Sequence, residues 1–127
     1  MAEAVTLLSY RRRLAAQAAG GAAVPKIAFM AFGDGGHNPA TNRAIAPDEN
    51  QTSLNHELLR KPLAAVAQED LLSVTGRGFL ENGELIGKSI SEAALVDEKG
   101  NIMGIKNFAP KVKESDERYE ISIKMRY

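Results

Sequence analysis

The sequence predicts an α+β domain in which an N-terminal helix and a short second helix pack on a mainly antiparallel β-sheet. Three observations carry this expectation. Ala4, Leu7, Leu8, Leu14, Ala15 and Ala18 recur at helical spacing near the start of the chain. At its end, Tyr119, Ile121, Ile123, Met125 and Tyr127 alternate with Glu120, Ser122, Lys124 and Arg126, the signature of a half-buried antiparallel strand. Between them, apolar runs are separated by hairpin-length turns, which does not suit an alternating α/β fold. With 127 residues, 44% of them hydrophobic, the chain suits one domain over 1–127 with a single modest core. Trp is absent, so that core rests on Ala, Leu, Ile, Val and Met.

Taken in order, a helix is expected from about residue 3 to 19, ended by Gly20 and Gly21. Arg11, Arg12 and Arg13 spread over most of its circumference, so at least two should face solvent. Lys26 to Phe32, bounded by Pro25 and Gly33, reads as a buried strand. Residues 33–50 are dense in Gly, Asn, Asp and Pro and form a long loop, a place to look for binding or assembly. Leu54, Leu58 and Leu59 share one face of a short helix over Thr52 to Leu59, capped by Asn50 or Thr52 and broken by Pro62. Leu63 to Ala67 and Leu71 to Leu80 read as strands, the second carrying Gly76 and Gly78 at a bulge or close backbone approach. Ser89 to Val96 and Ile102 to Phe108 flank a turn at Asp97 to Asn101, with Gly100 able to take the left-handed conformation.

Composition narrows function. Sixteen basic and sixteen acidic residues cancel, which removes the general electrostatic pull of a nucleic-acid or membrane binder. The basic groups at Arg11 to Arg13, Arg60-Lys61, Lys111 and Lys113 are scattered and lack aromatic interleaving. Without cysteine, thiolate metal sites and thiol nucleophiles are excluded. No eighteen-residue apolar window or signal-peptide pattern is present, so a protein made in the cytoplasm with no membrane span is expected. His37 and His56 lack zinc spacing, and Gly33-Asp-Gly-Gly36 lacks the residues of a phosphate-binding loop. Asp34, Asn38, Asp48 and Asn50 lack calcium-loop spacing. No Ser lies in a nucleophile elbow. Hence no catalytic residue, cofactor or metal is expected.

Three stretches occur in a telling order: Ile27-Ala-Phe-Met-Ala-Phe-Gly-Asp-Gly35, Thr52-x-Leu54-x-x-Glu57-x-x-Arg60, and Ser91-Glu-Ala-Ala-Leu-Val-Asp-Glu-Lys-Gly-Asn-Ile-Met103. Together, from about Thr6 to Val112, they resemble the N-terminal attachment domain of phage tail-collar and tail-fibre proteins. That family shows an apolar strand entering a Gly-Asp-Gly turn, a T-x-L-x-x-E-x-x-R stretch and an E-x-G-L-x-D-x-x-G-N-L hairpin. Ala94 stands here for its Gly and Ile102 for its Leu. The resemblance implies a non-catalytic module fixing a fibre or collar component to the baseplate of a phage tail or phage-derived contractile particle. Its implied partners are other tail or baseplate proteins and copies of itself, preferably as a trimer, in a virion or tail-like particle. Family members continue into a fibre shaft, so a chain ending at Tyr127 is expected to be a stand-alone adaptor or a shortened fibre.

Loop length and turn composition nominate Gly33, Asp34, Gly35 and His37 in the long loop, and Asp97, Gly100 and Asn101 in the hairpin, as interface residues. Ile121 and Ile123 join them if the last strand lies at a sheet edge. Two other classes compete. A small ligand-binding or regulatory α+β module of a bacterial cell would need a concave apolar pocket, and an enzyme would need Asp34, His37, His56 and Glu57 to converge.

Overall fold

A computed structural model describes residues 4–127. Its elements are β1 (Val5–Thr6), α1 (Leu8–Ala18), β2 (Ile27–Gly33), β3 (His37–Asn38), β4 (Arg43–Ala44), β5 (Glu57–Pro62), β6 (Ala65–Asp70), β7 (Ser73–Leu80), β8 (Ser89–Asp97), β9 (Ile102–Val112) and β10 (Tyr119–Arg126). A five-stranded sheet has the order β1-β9-β8-β2-β5, and a three-stranded sheet the order β10-β7-β6. Every pairing is antiparallel. One helix and mostly β-sheet thus make up a broadly α+β fold. Among the described residues no helix is long and apolar enough to cross a membrane.

Strand alternation sends the central sheet's side chains into two clusters. Met30 and Phe32 of β2, Ala93 and Leu95 of β8, and Met103 of β9 meet Leu80 of β7 and Ile121, Ile123 and Met125 of β10. The opposite face carries Ala31, Ala94, Val96 and Ile105, covered by Leu7 and Leu54. Gly76 and Gly78 mark the expected close approach: a Cβ on Gly76 would lie 2.5 Å from Leu95 Cδ2, and one on Gly78 2.8 Å from Met30 Sδ. The β7–β10 ladder is regular through both glycines, so they serve the contact between sheets and mark no bulge in that pairing.

The expected second helix is absent. Thr52 to Leu59 forms turns and then enters β5, which pairs with β2. Its leucines divide, Leu54 entering the second cluster while Leu58 and Leu59 pack against the first. Eight residues are too few to hold a helix against fixed competing partners. The amides of Asn55 and His56 donate to the Glu92 carboxylate. The first helix also starts later than its apolar spacing suggests, because Val5 and Thr6 pair with Ile105 and Gly104 and Leu7 is buried in an extended conformation. Residue 3, where that helix was expected to begin, lies outside the described residues. Its end agrees with expectation, Gly20 taking φ +96° just beyond Ala19.

The Gly76–Leu95 contact yields a double-mutant test. Gly76→Ala is expected to cost about 1–3 kcal/mol by overpacking, and Leu95→Ala about 2–5 kcal/mol by leaving a cavity. In the double variant the new methyl occupies part of that cavity, so the combined loss in urea unfolding should fall short of the sum by about 0.5 kcal/mol or more. Strict additivity would show that the two positions do not share one packing site.

Candidate functional site

The three sequence stretches meet around a buried charge. Glu92 lies in β8, opposite Gly33 of β2 and Asn107 of β9, and its side chain is buried. Its Oε2 accepts hydrogen bonds from the Gly35 and His56 amides at 2.8 Å each, and its Oε1 accepts one from the Asn55 amide at 2.9 Å. Three backbone donors of two loops are therefore satisfied by one carboxylate, so neither loop needs a regular partner strand there. The glycines follow from this closeness. A Cβ on Gly33 would lie 2.5 Å from Glu92 Oε2, and one on Gly36 would lie 2.2 Å from the Ser91 carbonyl oxygen.

Neighbouring bonds tighten the arrangement. Ser91 Oγ accepts from the Gly36 amide at 2.9 Å and bonds His37 Nδ1 at 2.8 Å. Asn55 Nδ2 donates to the Gly35 carbonyl at 2.9 Å, and Asp34 pairs with the His56 imidazole. Farther along β5, the Arg60 guanidinium grips Glu57 through Nε at 3.1 Å and Nη2 at 2.8 Å, while its Nη1 reaches the Gly100 carbonyl at 3.2 Å. The middle stretch thus touches the glycine turn at one end and the hairpin turn at the other.

That hairpin is built on Asp97, whose side chain is buried. Its carboxylate accepts from the amides of Lys99 at 2.8 Å and Asn101 at 3.0 Å, from Asn101 Nδ2 at 3.2 Å, and from Arg13 Nη1 of α1 at 2.7 Å. Gly100 takes φ +89°, as the turn chemistry predicts. Burial pushes the Asp97 carboxyl up, but the bonds from Arg13, Asn101 and Lys99 outweigh it and hold the group below the usual carboxylate range.

Set against protein-family models, curated proteins and solved structures, the chain matches none.

Of the nominated interface residues, Gly33, Asp34, Gly35 and His37 share the Glu92 and Ser91 network, while Asp97, Gly100 and Asn101 share the hairpin turn. Gly33 and Asp97 are buried, whereas Gly100, Asn101 and the loop over 38–46 are exposed. Ile121 and Ile123 stand apart from both groups. They belong to the core between the sheets, where Ile123 is fully buried and Ile121 keeps only 5% exposure, so they offer little surface to a neighbour. β10 is an edge strand, as the expectation required, but Thr6 Oγ1 and Lys106 Nζ already donate to its Arg126 and Ser122 carbonyls. The groups considered for catalysis are divided among separate partners: Asp34 meets His56, His37 meets Ser91, and Glu57 is held by Arg60. Among the described residues no three His, Asp or Glu side chains are grouped to hold a metal ion.

In the sequence Glu92 figures only as the first residue of the E-x-G-L stretch and Arg13 only as part of a basic run, and neither is a nominated site residue. A further signal for Glu92 was a lone carboxylate inside the otherwise uncharged run from Ser89 to Val96. Such a residue in a buried strand must find donors.

Glu92→Ala should leave three part-buried amides without their acceptor and lower stability by roughly 1–3 kcal/mol. Glu92→Gln should recover little, because its NH2 group would face an amide donor in either orientation. Urea unfolding gives the losses, and hydrogen exchange should speed up first at the amides of residues 35, 55 and 56. Unchanged exchange there would remove the anchoring role.

Asp97 supplies a pH test. Its folded pKa is depressed, so unfolding in acid takes up a proton. The stability it contributes is present above the unfolded value of about 4 and is lost as pH falls through the lower folded value. Melting temperature recorded from neutral to strongly acid pH should therefore fall less steeply for Asp97→Asn than for the wild-type chain. Parallel acid limbs would contradict the assignment.

Proposed function

We propose that the chain is a structural subunit of a phage tail or phage-derived contractile particle, attaching a fibre or collar component to the baseplate. The observation that supports this most is the interlocking of the three ordered stretches: the Gly33 to Gly36 turn rests on Glu92, Asn55 and His56 close the same carboxylate, and Arg60 reaches the Gly100 turn. Their spacing in sequence, which carries the resemblance to tail-collar and tail-fibre attachment domains, thereby acquires one physical role. The network anchors the bases of two loops whose outer parts, residues 38–46 and 98–101, are exposed. Loops fixed in this way lose little conformational freedom when a partner seats on them, which favours durable assembly. The candidate acid-base groups each serve a structural bond, in keeping with a non-catalytic module. The partners in this reading are other tail or baseplate proteins and further copies of the chain, with a trimer preferred.

A ligand-binding module is the second reading. It draws on an open groove of about 550 Å³ lined chiefly by Tyr10, Leu14, Val24, Ile27, Val66 and Val74, within the usual size of small-molecule sites. The Tyr10 and Tyr127 hydroxyls beside it bond each other at 2.6 Å, leaving less polar capacity to orient a ligand.

The assembly reading is tested in the phage or bacterium that encodes the chain. Thr41→Glu with Arg43→Glu changes two exposed loop residues and should leave melting temperature nearly unaltered while sharply reducing the subunit's content in purified particles. Deleting 38–48 together with Asp34→Ala and His37→Ala should abolish its incorporation. Normal particles carrying all these changes would remove the loop's role, and particles that never contain the wild-type subunit would remove the function.

A further inference from the structure

The turn between β6 and β7 places two adjacent leucines in solvent, Leu71 90% and Leu72 67% exposed. Leucines at such exposure form a small apolar knob, and Glu69 and Asp70 stand beside it. Asp70 is paired with Lys124 at 3.3 Å, whereas Glu69 makes no ion pair among the described residues. At the other end of β10 is an open, mainly apolar groove of about 570 Å³ with Phe108, Ala109, Tyr119 and Ile121 among its lining residues. Lys106, Lys111 and Glu120 also line it, Glu120 being paired with Arg77 at 3.4 Å. Lys111 is paired with Glu117 at 2.6 Å, while Lys106 Nζ donates to the Ser122 carbonyl and meets no carboxylate among the described residues.

The knob and the groove differ in shape and carry opposite unbalanced charges. They cannot meet within one chain. Ser73, next to the knob, pairs with Arg126, whereas Leu80 pairs with Tyr119 in the groove, so the two features lie about seven residues or roughly 20 Å apart along one ladder. We propose that copies of this chain assemble head to tail, with Leu71 and Leu72 of one seated in the β9–β10 groove of the next and Glu69 facing Lys106. The occupant is a second copy because the leucine-tipped turn brings both an apolar tip and, in Glu69, the carboxylate that Lys106 in this mainly apolar groove lacks. A contact between unlike surfaces is heterologous and closes into a ring, such as a trimer, when its rotation permits. The inference rests on the assembly reading for its biological setting, while the contact itself can be examined in the purified chain.

Sedimentation of the full chain should show mass rising with concentration beyond that of a monomer. Leu71→Glu with Leu72→Glu should be monomeric, as should Ala109→Glu, with circular dichroism and melting temperature close to wild type because all three positions are exposed. Mixing the two variants provides the decisive measurement. The first retains its groove and the second its knob, so the mixture should form a heterodimer and nothing larger. If either variant misfolds, Glu69→Lys and Lys106→Glu replace it: each alone should weaken association about tenfold or more, and combining both changes in one chain should restore it. A monomeric wild-type chain, variants that keep the oligomer, or a charge swap without restoration overturns the contact. Particle incorporation is scored separately: self-association by this contact without incorporation removes the tail reading alone, and incorporation by a monomeric chain removes the contact alone.

Discussion

The Glu92 carboxylate sets the geometry on which the rest of the molecule depends. It is buried within the central strand of the five-stranded sheet and accepts from three part-buried loop amides that have no strand partner there. An ionised carboxylate taken out of water is costly unless donors surround it, and here the donors all come from backbone. The consequence runs in both directions. The charge tolerates burial because the loops approach it, and the loops approach because glycine at 33, 35 and 36 leaves room. A side chain at Gly36 would collide with β8 backbone, which cannot swing aside as the end of a flexible side chain can.

This constraint explains the unequal treatment of the two faces of the central sheet. One face is closed by a second sheet, which supplies continuous apolar cover from Leu80, Ile121, Ile123 and Met125. The other lacks an equivalent sheet among the described residues, where irregular chain and the two-stranded β3–β4 pair, which contacts β9, stand in its place. Its small residues Ala31 and Ala94 leave a shallow surface that Leu7, Leu54 and the chain between them can cover. Irregular backbone can take this place because its polar groups are tied to side chains rising from the sheet: Glu92 holds Gly35 and Asn55, Ser91 holds Gly36, and Asn107 Nδ2 donates to the Ile45 carbonyl at 2.8 Å. The long loop is therefore a structural layer at its base and a presented surface only at its tip.

Strands were legible in the sequence wherever alternation or a bounding turn was strong. β2, β7, β8, β9 and β10 fall close to their expected positions, and the Asp97 to Asn101 turn forms with Gly100 at positive φ. Failures came where tertiary partners outcompeted a local pattern. Val5 and Thr6 read as helix because Ala4, Leu7 and Leu8 fit helical spacing, yet an open edge of β9 takes them as a strand. Leu54, Leu58 and Leu59 fit a helix face, yet the chain divides them between the two cores. Within the candidate site, the loop residues were legible through their turn chemistry, while the anchoring role of Glu92 was not, because its donors lie 36 to 57 residues away. Ile121 and Ile123 were correctly placed on the apolar side of β10, but that side faces the other sheet and not a neighbour.

A second buried charge extends the same logic to the opposite region of the chain. Lys113, fully buried just beyond β9, donates from Nζ to the carbonyls of Glu81 at 2.8 Å, Glu114 at 3.1 Å and Asn82 at 3.3 Å. Its own backbone continues the tie, accepting from the Gly87 amide at 2.8 Å and donating to the Lys88 carbonyl at 3.0 Å. Glu92 gathers orphan donors, and Lys113 gathers orphan acceptors. Neither charge neutralises the other, and each serves as a cap for irregular backbone that sheet hydrogen bonding leaves incomplete. A buried ion whose partners are backbone atoms fixes chain path more than it adds net stability, since the cost of desolvation offsets most of what the bonds return. The placement of these two residues therefore favours defined loop geometry over maximal stability, which is the property a module needs when its loops must meet another chain in one arrangement.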